Sequence, residues 1–265
     1  MQEITREVLI QKAEELLSAG TVDRVLGLMR GEFCYDVTPA VFESAEALEQ
    51  GFVWNDFCGA NFSKALVREA GKGEGKILVF LKPCDTYSFN QLLTEHRFDR
   101  EKVYAVGIPC AGMLDPYRVR ALAESVAAVE DDGKTVTVET LFDGKKTAPR
   151  EQLLAERCLS CKSKKHVAYD ELLGEDGEEL DSHRFDEVER LEAMTPDERF
   201  AFWQGELSRC IRCNACRDIC PACTCEKCVF DNPNSGVENK AAANSFEEKM
   251  FHIIRAFHVA GRCTD

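Results

Sequence analysis

The chain has 265 residues, enough for one large or two smaller domains, and its formal net charge of −14 argues against unaided binding to nucleic acid or an anionic membrane. No apolar stretch reaches the roughly 18 residues that a membrane span needs, and the N-terminus lacks the form of a secretory signal. We therefore expect a cytoplasmic protein, alone or held in a larger complex, with no nucleic-acid partner.

The first 74 residues are predicted to be a helical N-terminal region. Apolar residues recur at helical spacing over residues 3–17 and stop near Gly20. A second helix is predicted from about Asn61 to Glu69.

Residues 75–175 are predicted to form an α/β domain with a short parallel sheet. Residues 77–81 are all apolar, which is typical of a strand buried on both faces, and a helical pattern and a second apolar run at 103–108 follow. Strand, helix and strand make a βαβ unit with parallel strands. Cys84 and Cys110 should then lie at the carboxyl ends of neighbouring strands, where open α/β sheets bind ligands.

Beyond this unit, a hairpin is predicted from strands at 126–130 and 135–139 around an Asp-Asp-Gly-Lys turn. The acidic stretch from Leu172 to about Arg190 is predicted to be a solvated linker or a loose helix. A capping box at Thr195 then starts the helix that leads into Cys210.

Residues 195–265 are predicted to form a helical, ferredoxin-like iron–sulfur module. Its last helix should start at a second capping box, Ser245 to Glu248, and end at Gly261. His252, Arg255 and His258 recur every three residues on this helix and could offset the negative charge of a cluster or contact a partner; a solvated face is the alternative.

Fourteen cysteines are several times the usual number, and seven of them fall between Cys210 and Cys228. In a reducing compartment such clustering is typical of metal ligands, whereas a disulfide framework would call for a secreted chain. Cys34 and Cys58 stand outside any motif and are interpreted as core or incidental residues.

The spacing Cys-x2-Cys-x2-Cys-x3-Cys-Pro from Cys210 to Pro221 indicates a [4Fe–4S] cluster. In two-cluster ferredoxins the fourth cysteine of such a run binds the other cluster, so Cys220 could belong to a second one. Cys263 stands where a partner run would begin, and we expect the module to be cut off there; an ordinary C-terminal cysteine is the alternative. Zinc suits this spacing less well.

A separate Cys-x2-Cys pair, Cys158 and Cys161, needs partners from elsewhere. Cys84 and Cys110 at the strand ends are one candidate set, and Cys223, Cys225 and Cys228 are the other. Four thiolates from either combination could hold a cluster or a tetrahedral zinc. The full set of predicted metal ligands is Cys210, Cys213, Cys216, Cys220, Cys158, Cys161, Cys84, Cys110, Cys223, Cys225, Cys228 and Cys263.

Several of these segments resemble the β subunits of coenzyme F420-reducing hydrogenases and their dehydrogenase relatives. The resemblance rests on Pro83-Cys84-Asp85, on Gly107 to Cys110, and on Cys158-x2-Cys161 with Asp170 and Gly174 downstream. It extends more weakly to sulfhydrogenase β and anaerobic sulfite reductase A subunits.

The run from Gly205 to Cys228, with the helix to Cys263, also resembles the ferredoxin module of subunits that accompany heterodisulfide-reductase-like complexes. Subunits of these kinds pass electrons between a flavin or metal catalyst and a partner protein, and some bind FAD. The resemblance covers roughly residues 75 to 265 and implies one or more [4Fe–4S] clusters and a place beside other subunits.

The leading hypothesis is therefore an iron–sulfur electron-transfer subunit of a multisubunit anaerobic oxidoreductase, such as a hydrogenase, a formate dehydrogenase or a heterodisulfide-reductase-like complex. Such a role requires no catalytic acid, base or nucleophile, and we predict none. The alternatives are a flavin-bearing subunit that reduces or oxidises a small carrier such as F420, and a zinc-dependent scaffold protein.

Overall fold

The computed structural model describes residues 4–162, 164–178, 182–232, 234, 242 and 245–264. It divides the chain into two compact units, Met1–Ser182 and His183–Asp265. In the first unit the helices are α1 (Arg6–Ser18), α2 (Ala45–Gly51), α3 (Phe62–Ala70), α4 (Pro83–Thr94), α5 (Pro116–Leu122), α6 (Arg150–Leu153) and α7 (Glu156–Leu159). The strands are β1 (Arg24–Arg30), β2 (Val37–Phe42), β3 (Ile77–Leu81), β4 (Val103–Gly107), β5 (Val126–Asp131), β6 (Thr135–Thr140), β7 (Lys145–Pro149) and β8 (Glu171–Leu172).

A five-stranded sheet of order β2-β1-β3-β4-β8 forms the centre of the first unit. β3 pairs in parallel with both β1 and β4, β4 pairs in parallel with β8, and only β2 runs antiparallel to its neighbour. The predicted βαβ unit and the α/β class are therefore confirmed.

Helices cover both faces of this sheet. Alternate residues of the wholly buried strand β3 face opposite cores: Leu78 and Phe80 pack with residues of α1 and α2, while Ile77, Val79 and Leu81 pack with residues of α3 and α4. A strand buried on both faces needs apolar residues at every position, which explains the unbroken apolar run in the sequence.

The prediction of a helical region over residues 1–74 is correct for α1, α2 and α3 but wrong for residues 24–42. This segment supplies the strands β1 and β2 to the central sheet. Gly27 interrupts the apolar pattern of β1 because the Phe52 ring lies 2.5 Å from where a Cβ would stand, so no side chain fits there. The interruption hid the strand in the sequence.

The predicted hairpin is confirmed and extended. β5 and β6 pair antiparallel, and β7 adds a third antiparallel strand to β6. Val136 and Val138 are fully buried in a third apolar cluster that also contains Val119 of α5.

The second unit is helical wherever it is described as regular structure. Its α-helices are α8 (Asp186–Glu192), α9 (Pro196–Ser208), α10 (Ala215–Ile219) and α11 (Phe246–Ala260). The capping box at Thr195 is confirmed, with Pro196 in the first turn of α9. Among the described residues of the whole chain, no helix is both long enough and apolar enough to cross a membrane.

The last helix differs from its prediction in what it buries. Ser245 accepts a hydrogen bond from the amide of Glu248 as expected, but the Glu248 side chain turns to Arg212 instead of closing a capping box. Glu248 and Phe251 are the buried residues of α11, while Phe246 and Phe257 are about four-fifths exposed, at 78% and 80%. The apolar residues of this helix are therefore mostly on its surface.

Candidate metal centres

The start of α4 places a cation and a carboxylate in the interior of the first unit. Lys82 follows β3 directly, and its ammonium nitrogen lies 2.8 Å from Oδ2 of Asp85, with both side chains at most 2% exposed. The backbone amide of Lys82 also donates to Asp85 Oδ2, and its ammonium donates to the carbonyl of Ala60. Burial lowers the pKa of Lys82, but Asp85, Cys84 and Cys110 together raise it by more, and the net shift is upward.

Three of the predicted ligands meet beside this ion pair. Cys84 and Cys110 follow the carboxyl ends of β3 and β4, as expected, and Cys84 is close enough to Cys110 and Cys158 for their charges to raise its pKa. Burial raises the pKa of Cys110, and Cys158 in α7 adds to the shift. Cys161 is partly buried, three positions after Cys158.

Backbone amides point at two of these sulfur atoms. The amide of Gly112 donates to Sγ of Cys110 and that of Met113 donates to Sγ of Cys158, both at 3.4 Å. Gly112 has a φ of +104°, a conformation that glycine adopts without the steric cost of a side chain. Amide donors of this kind stabilise negative charge on sulfur.

Cys84 combines solvent access with a surrounding of protein. Its residue surface is exposed, yet burial within the fold raises the pKa of its thiol to about 12, with Asp85 adding to the shift and Lys82 opposing it. Cys84 is therefore accessible from solvent although protein surrounds much of its side chain.

Arg150 and His166 fix the loops around this edge. The Arg150 guanidinium donates to the carbonyls of Ala111 and Gly112 and pairs with Asp131 of the hairpin at 2.5 Å. Nε2 of His166 lies 3.1 Å from the carbonyl oxygens of both Leu81 and Ile108, at the ends of β3 and β4.

The cysteine run of the second unit contains two left-handed residues. Arg212 has a φ of +56° and Asn214 a φ of +64°, while the residues between and before them have negative φ. Backbone that alternates in this way forms concave nests of amide groups that bind anions, including iron–sulfur clusters. The amide of Arg212 donates to Sγ of Cys210 at 3.4 Å.

Arginine side chains surround the same run. The Arg255 guanidinium of α11 donates to Sγ of Cys216 at 3.2 Å. Arg212 forms a buried ion pair with Glu248 at 2.8 Å and stacks 4.0 Å from the centre of the Phe251 ring. A hydrogen bond to Cys228, followed by one to Asp231, raises the pKa of Arg217.

The remaining predicted ligands occupy varied positions in the second unit. Cys213, Cys225 and Cys263 are exposed, while Cys220, Cys223 and Cys228 are partly buried. Cys210 lies beside Glu248 and His252, with the three ligand atoms within 4.8 Å of one another. Of the three basic residues predicted to serve a cluster, Arg255 contacts a cysteine, His252 contacts Glu248, and His258 packs beside Phe230.

Lys82, Arg150 and His166 were not identified from the sequence. Lys82 carried a usable signal, because a lysine that ends an apolar strand three residues before an aspartate can pair with it at the helix start. Arg150 and His166 carried none, since their partners lie 38 and 85 residues away in the chain for Gly112 and Leu81. Cys34 and Cys58 are free thiols, and Cys58 is fully buried as a core residue.

No protein-family model matches the chain. A search of curated proteins finds the F420-dependent formate dehydrogenase subunit beta of Methanocaldococcus jannaschii, 23% identical, over 94% of this chain and 79% of the relative. The F420-dependent formate dehydrogenase 1 subunit beta of Methanococcus maripaludis is also 23% identical, over 81% of this chain and 71% of the relative.

Among solved structures, a chain of the F420-reducing [NiFe] hydrogenase complex from Methanosarcina barkeri is similar, with 16% identity and a TM-score of 0.45 over 58% of each chain. The two curated relatives extend over most of the chain and are both β subunits. The resemblance read from the sequence is thus confirmed: these two curated homologues of the chain are β subunits of F420-dependent formate dehydrogenases.

Proposed function

We propose that this chain is an iron–sulfur electron-transfer subunit of a multisubunit anaerobic oxidoreductase that works with F420. The observation that carries the proposal is the position of Cys84 and Cys110 after the ends of the neighbouring parallel strands β3 and β4, with Cys110 and Cys158 packed against the same core and each accepting a hydrogen bond from a backbone amide. The names of the curated relatives supply the enzyme class and the expectation of partner subunits.

In the first unit, we assign a [4Fe–4S] cluster to Cys84, Cys110, Cys158 and Cys161. Their surroundings suit such a group, because a cluster with four thiolates carries negative charge and this edge offers two amide donors and, near Cys110, the Lys82 ammonium, whose charge the paired Asp85 offsets at Cys84. Lys164 adds a second positive charge close to Cys110. Cys84 is exposed and accessible to a bound group.

In the second unit, we assign a further [4Fe–4S] cluster to the run that starts at Cys210, with Cys213, Cys216 and Cys220 as its other proposed ligands. The left-handed residues Arg212 and Asn214 and the Arg255 contact to Cys216 support the assignment. We propose a ferredoxin-like role for residues 195–265 of this unit. Cys223, Cys225, Cys228 and Cys263 remain candidate ligands of the same unit.

Each cluster would accept and release single electrons, and the chain's own residues would set how readily it does so. Hydrogen bonds to sulfur and nearby cations stabilise the reduced form, which has the greater negative charge, whereas burial disfavours it. The amides of Gly112 and Met113 would act in this way on the first centre and Arg255 on the second.

The test is the iron, acid-labile sulfide, zinc and flavin content of the anaerobically purified full chain. We expect iron and sulfide in equal amounts, with Cys110→Ser and Cys213→Ser each losing about four iron atoms per chain. Cys34→Ser is the matched control and should lose none, because Cys34 stands outside both groups. Zinc without iron would establish the scaffold hypothesis instead, and iron unaffected by Cys110→Ser would remove the first assignment.

A flavin-bearing subunit that exchanges electrons with F420 directly is the second candidate, favoured by the F420-dependent names of the relatives. FAD would then be an additional cofactor of the chain. The absorption spectrum separates the two candidates: flavin peaks support the second, while a broad band near 400 nm without them supports the cluster-only subunit.

A further inference from the structure

The second unit contains a group of three metal-binding side chains, two of which a cysteine-only cluster does not use. Sγ of Cys210, a carboxylate oxygen of Glu248 and a ring nitrogen of His252 all lie within 4.8 Å of one another. Sulfur, imidazole and carboxylate are the three donor types that protein zinc sites use. We propose that Cys210, Glu248 and His252 form a binding site for a single divalent transition-metal ion, with zinc as the expected occupant.

The backbone presents two of the donors together. Glu248 and His252 are four residues apart on α11, so they project from the same face of the helix, the spacing that places two metal ligands side by side in helical zinc sites. Both side chains are largely buried, at 7% and 13% exposed. Burial of this kind limits competition from water for the metal.

The Glu248 carboxylate is oriented for the role by a second contact. Arg212 binds Oε2 at 2.8 Å, while Oε1 lies 3.2 Å from Nε2 of His252. The oxygen that faces His252 is therefore the one available to a metal, and the ion would replace the hydrogen bond between Oε1 and Nε2. Hydrogen bonds from neighbouring side chains commonly orient the carboxylate ligands of metal sites in this way.

The site opens on one side to a cavity of about 470 Å³ between α9 and α11. Glu248 and His252 line this cavity together with Trp203, Leu207 and Ile253. A four-coordinate zinc with three protein ligands keeps a fourth position for water or a small molecule. This fourth position would face the cavity. Binding of the metal ion would release the thiol proton of Cys210 to solvent.

This inference goes beyond the proposed function and shares one residue with it. Cys210 can bind the mononuclear ion or the [4Fe–4S] cluster, but its single sulfur cannot complete both sites in the arrangements proposed. Zinc at this position would therefore exclude cluster assembly at the run from Cys210 to Cys220. The cluster-loaded chain should take up no zinc here.

The experiment uses the full chain with Cys213→Ser as its background, so that the cysteine run lacks one of its own four thiolates. Zinc bound per chain is measured at equilibrium against a metal-sensitive dye, and cobalt is used as a spectroscopic probe. Adding Glu248→Gln or His252→Gln should remove about one zinc per chain. His258→Gln is the matched control, an exposed histidine on the same helix, and should remove none.

Cobalt tests the donor set independently of stoichiometry. In the same background, the cobalt d–d bands should change on His252→Gln and stay unchanged on His258→Gln. If neither Glu248→Gln nor His252→Gln changes the binding of zinc and cobalt, the proposed site is wrong, because the remaining cysteines would then account for all the bound metal. Iron and sulfide in the otherwise unaltered chain test the cluster separately, so either proposal can fail alone.

Discussion

The ammonium nitrogen of Lys82 lies 2.8 Å from the carboxylate of Asp85, and neither side chain reaches solvent. Lys82 and Asp85 are three positions apart and form a buried ion pair at the junction of β3 and α4, on either side of Cys84 in the sequence. Breaking such a pair is costly because it leaves one charge buried without its partner. The pair therefore ties the stability of the first unit to the edge where the cysteines meet.

Lys82→Met tests this link by removing the cation while keeping a side chain of similar length. The free energy of unfolding should fall by about 3–5 kcal/mol, because the Asp85 carboxylate remains buried without compensation. Urea unfolding of the cluster-free chain measures the change.

Lys145→Met is the matched control for this substitution. Lys145 is more than half exposed and lies 3.8 Å from Glu139, so its loss should change the free energy of unfolding by less than about 0.5 kcal/mol. Equal stabilities for Lys82→Met and Lys145→Met would show that the Lys82 charge is not buried in solution.

Arg150→Gln should loosen the loop that carries Cys110 without removing any sulfur. The Arg150 guanidinium donates to the carbonyls of Ala111 and Gly112 and pairs with Asp131. The shorter glutamine amide cannot make all three contacts. We expect iron from the first centre to be lost to a chelator several-fold faster than in the unaltered chain. Arg68→Gln, which removes a largely exposed partner of Glu69, should leave the rate unchanged, and a similar rate for both variants would contradict the role of Arg150.

The first unit was largely predictable because its central signals are local. An unbroken apolar run fixes β3, and the helical pattern after it fixes the direction of β4, which together bring Cys84 and Cys110 to one edge. The strand β1 was not predicted, because Gly27 interrupts its apolar pattern. The Phe52 ring leaves no space for a side chain at position 27, and this contact lies 25 residues away in the chain, beyond the reach of local sequence patterns.

The second unit was less predictable because its helices bury few side chains. The apolar positions of α11 suggested a packed face, yet Ile253 and Phe257 are exposed and the carboxylate of Glu248 is buried instead. Glu248 is buried because it pairs with Arg212. Arg212 in turn belongs to the left-handed turn of the cysteine run. Such a turn is associated with glycine or asparagine, and the arginine at position 212 gave no indication of it.

His166→Leu should free the segment 164–178 from the carboxyl edge of the sheet. The leucine cannot donate to the carbonyls of Leu81 and Ile108. The Leu81 carbonyl keeps the amide of Ile108 as a donor, but the Ile108 carbonyl loses the imidazole, and leaving one buried acceptor unpaired costs about 1–3 kcal/mol. The amides of Asp170 and Leu173, which pair with β4 carbonyls, should exchange hydrogen faster in the variant. Hydrogen exchange followed by mass spectrometry gives the measurement, and His258→Leu should leave these amides unchanged.

Arg255→Gln should lower the reduction potential of the proposed cluster in the second unit. The guanidinium donates to Sγ of Cys216, and its positive charge and hydrogen bond favour the reduced form, which has the greater negative charge. A contact of this kind corresponds to about 60 mV for one electron, or about 1.4 kcal/mol. Arg190→Gln removes the same charge from α8, where the arginine pairs with Glu187, and should shift the potential far less. A redox titration followed by electron paramagnetic resonance compares the two, and equal shifts would mean that Arg255 acts only through net charge and not through its bond to Cys216.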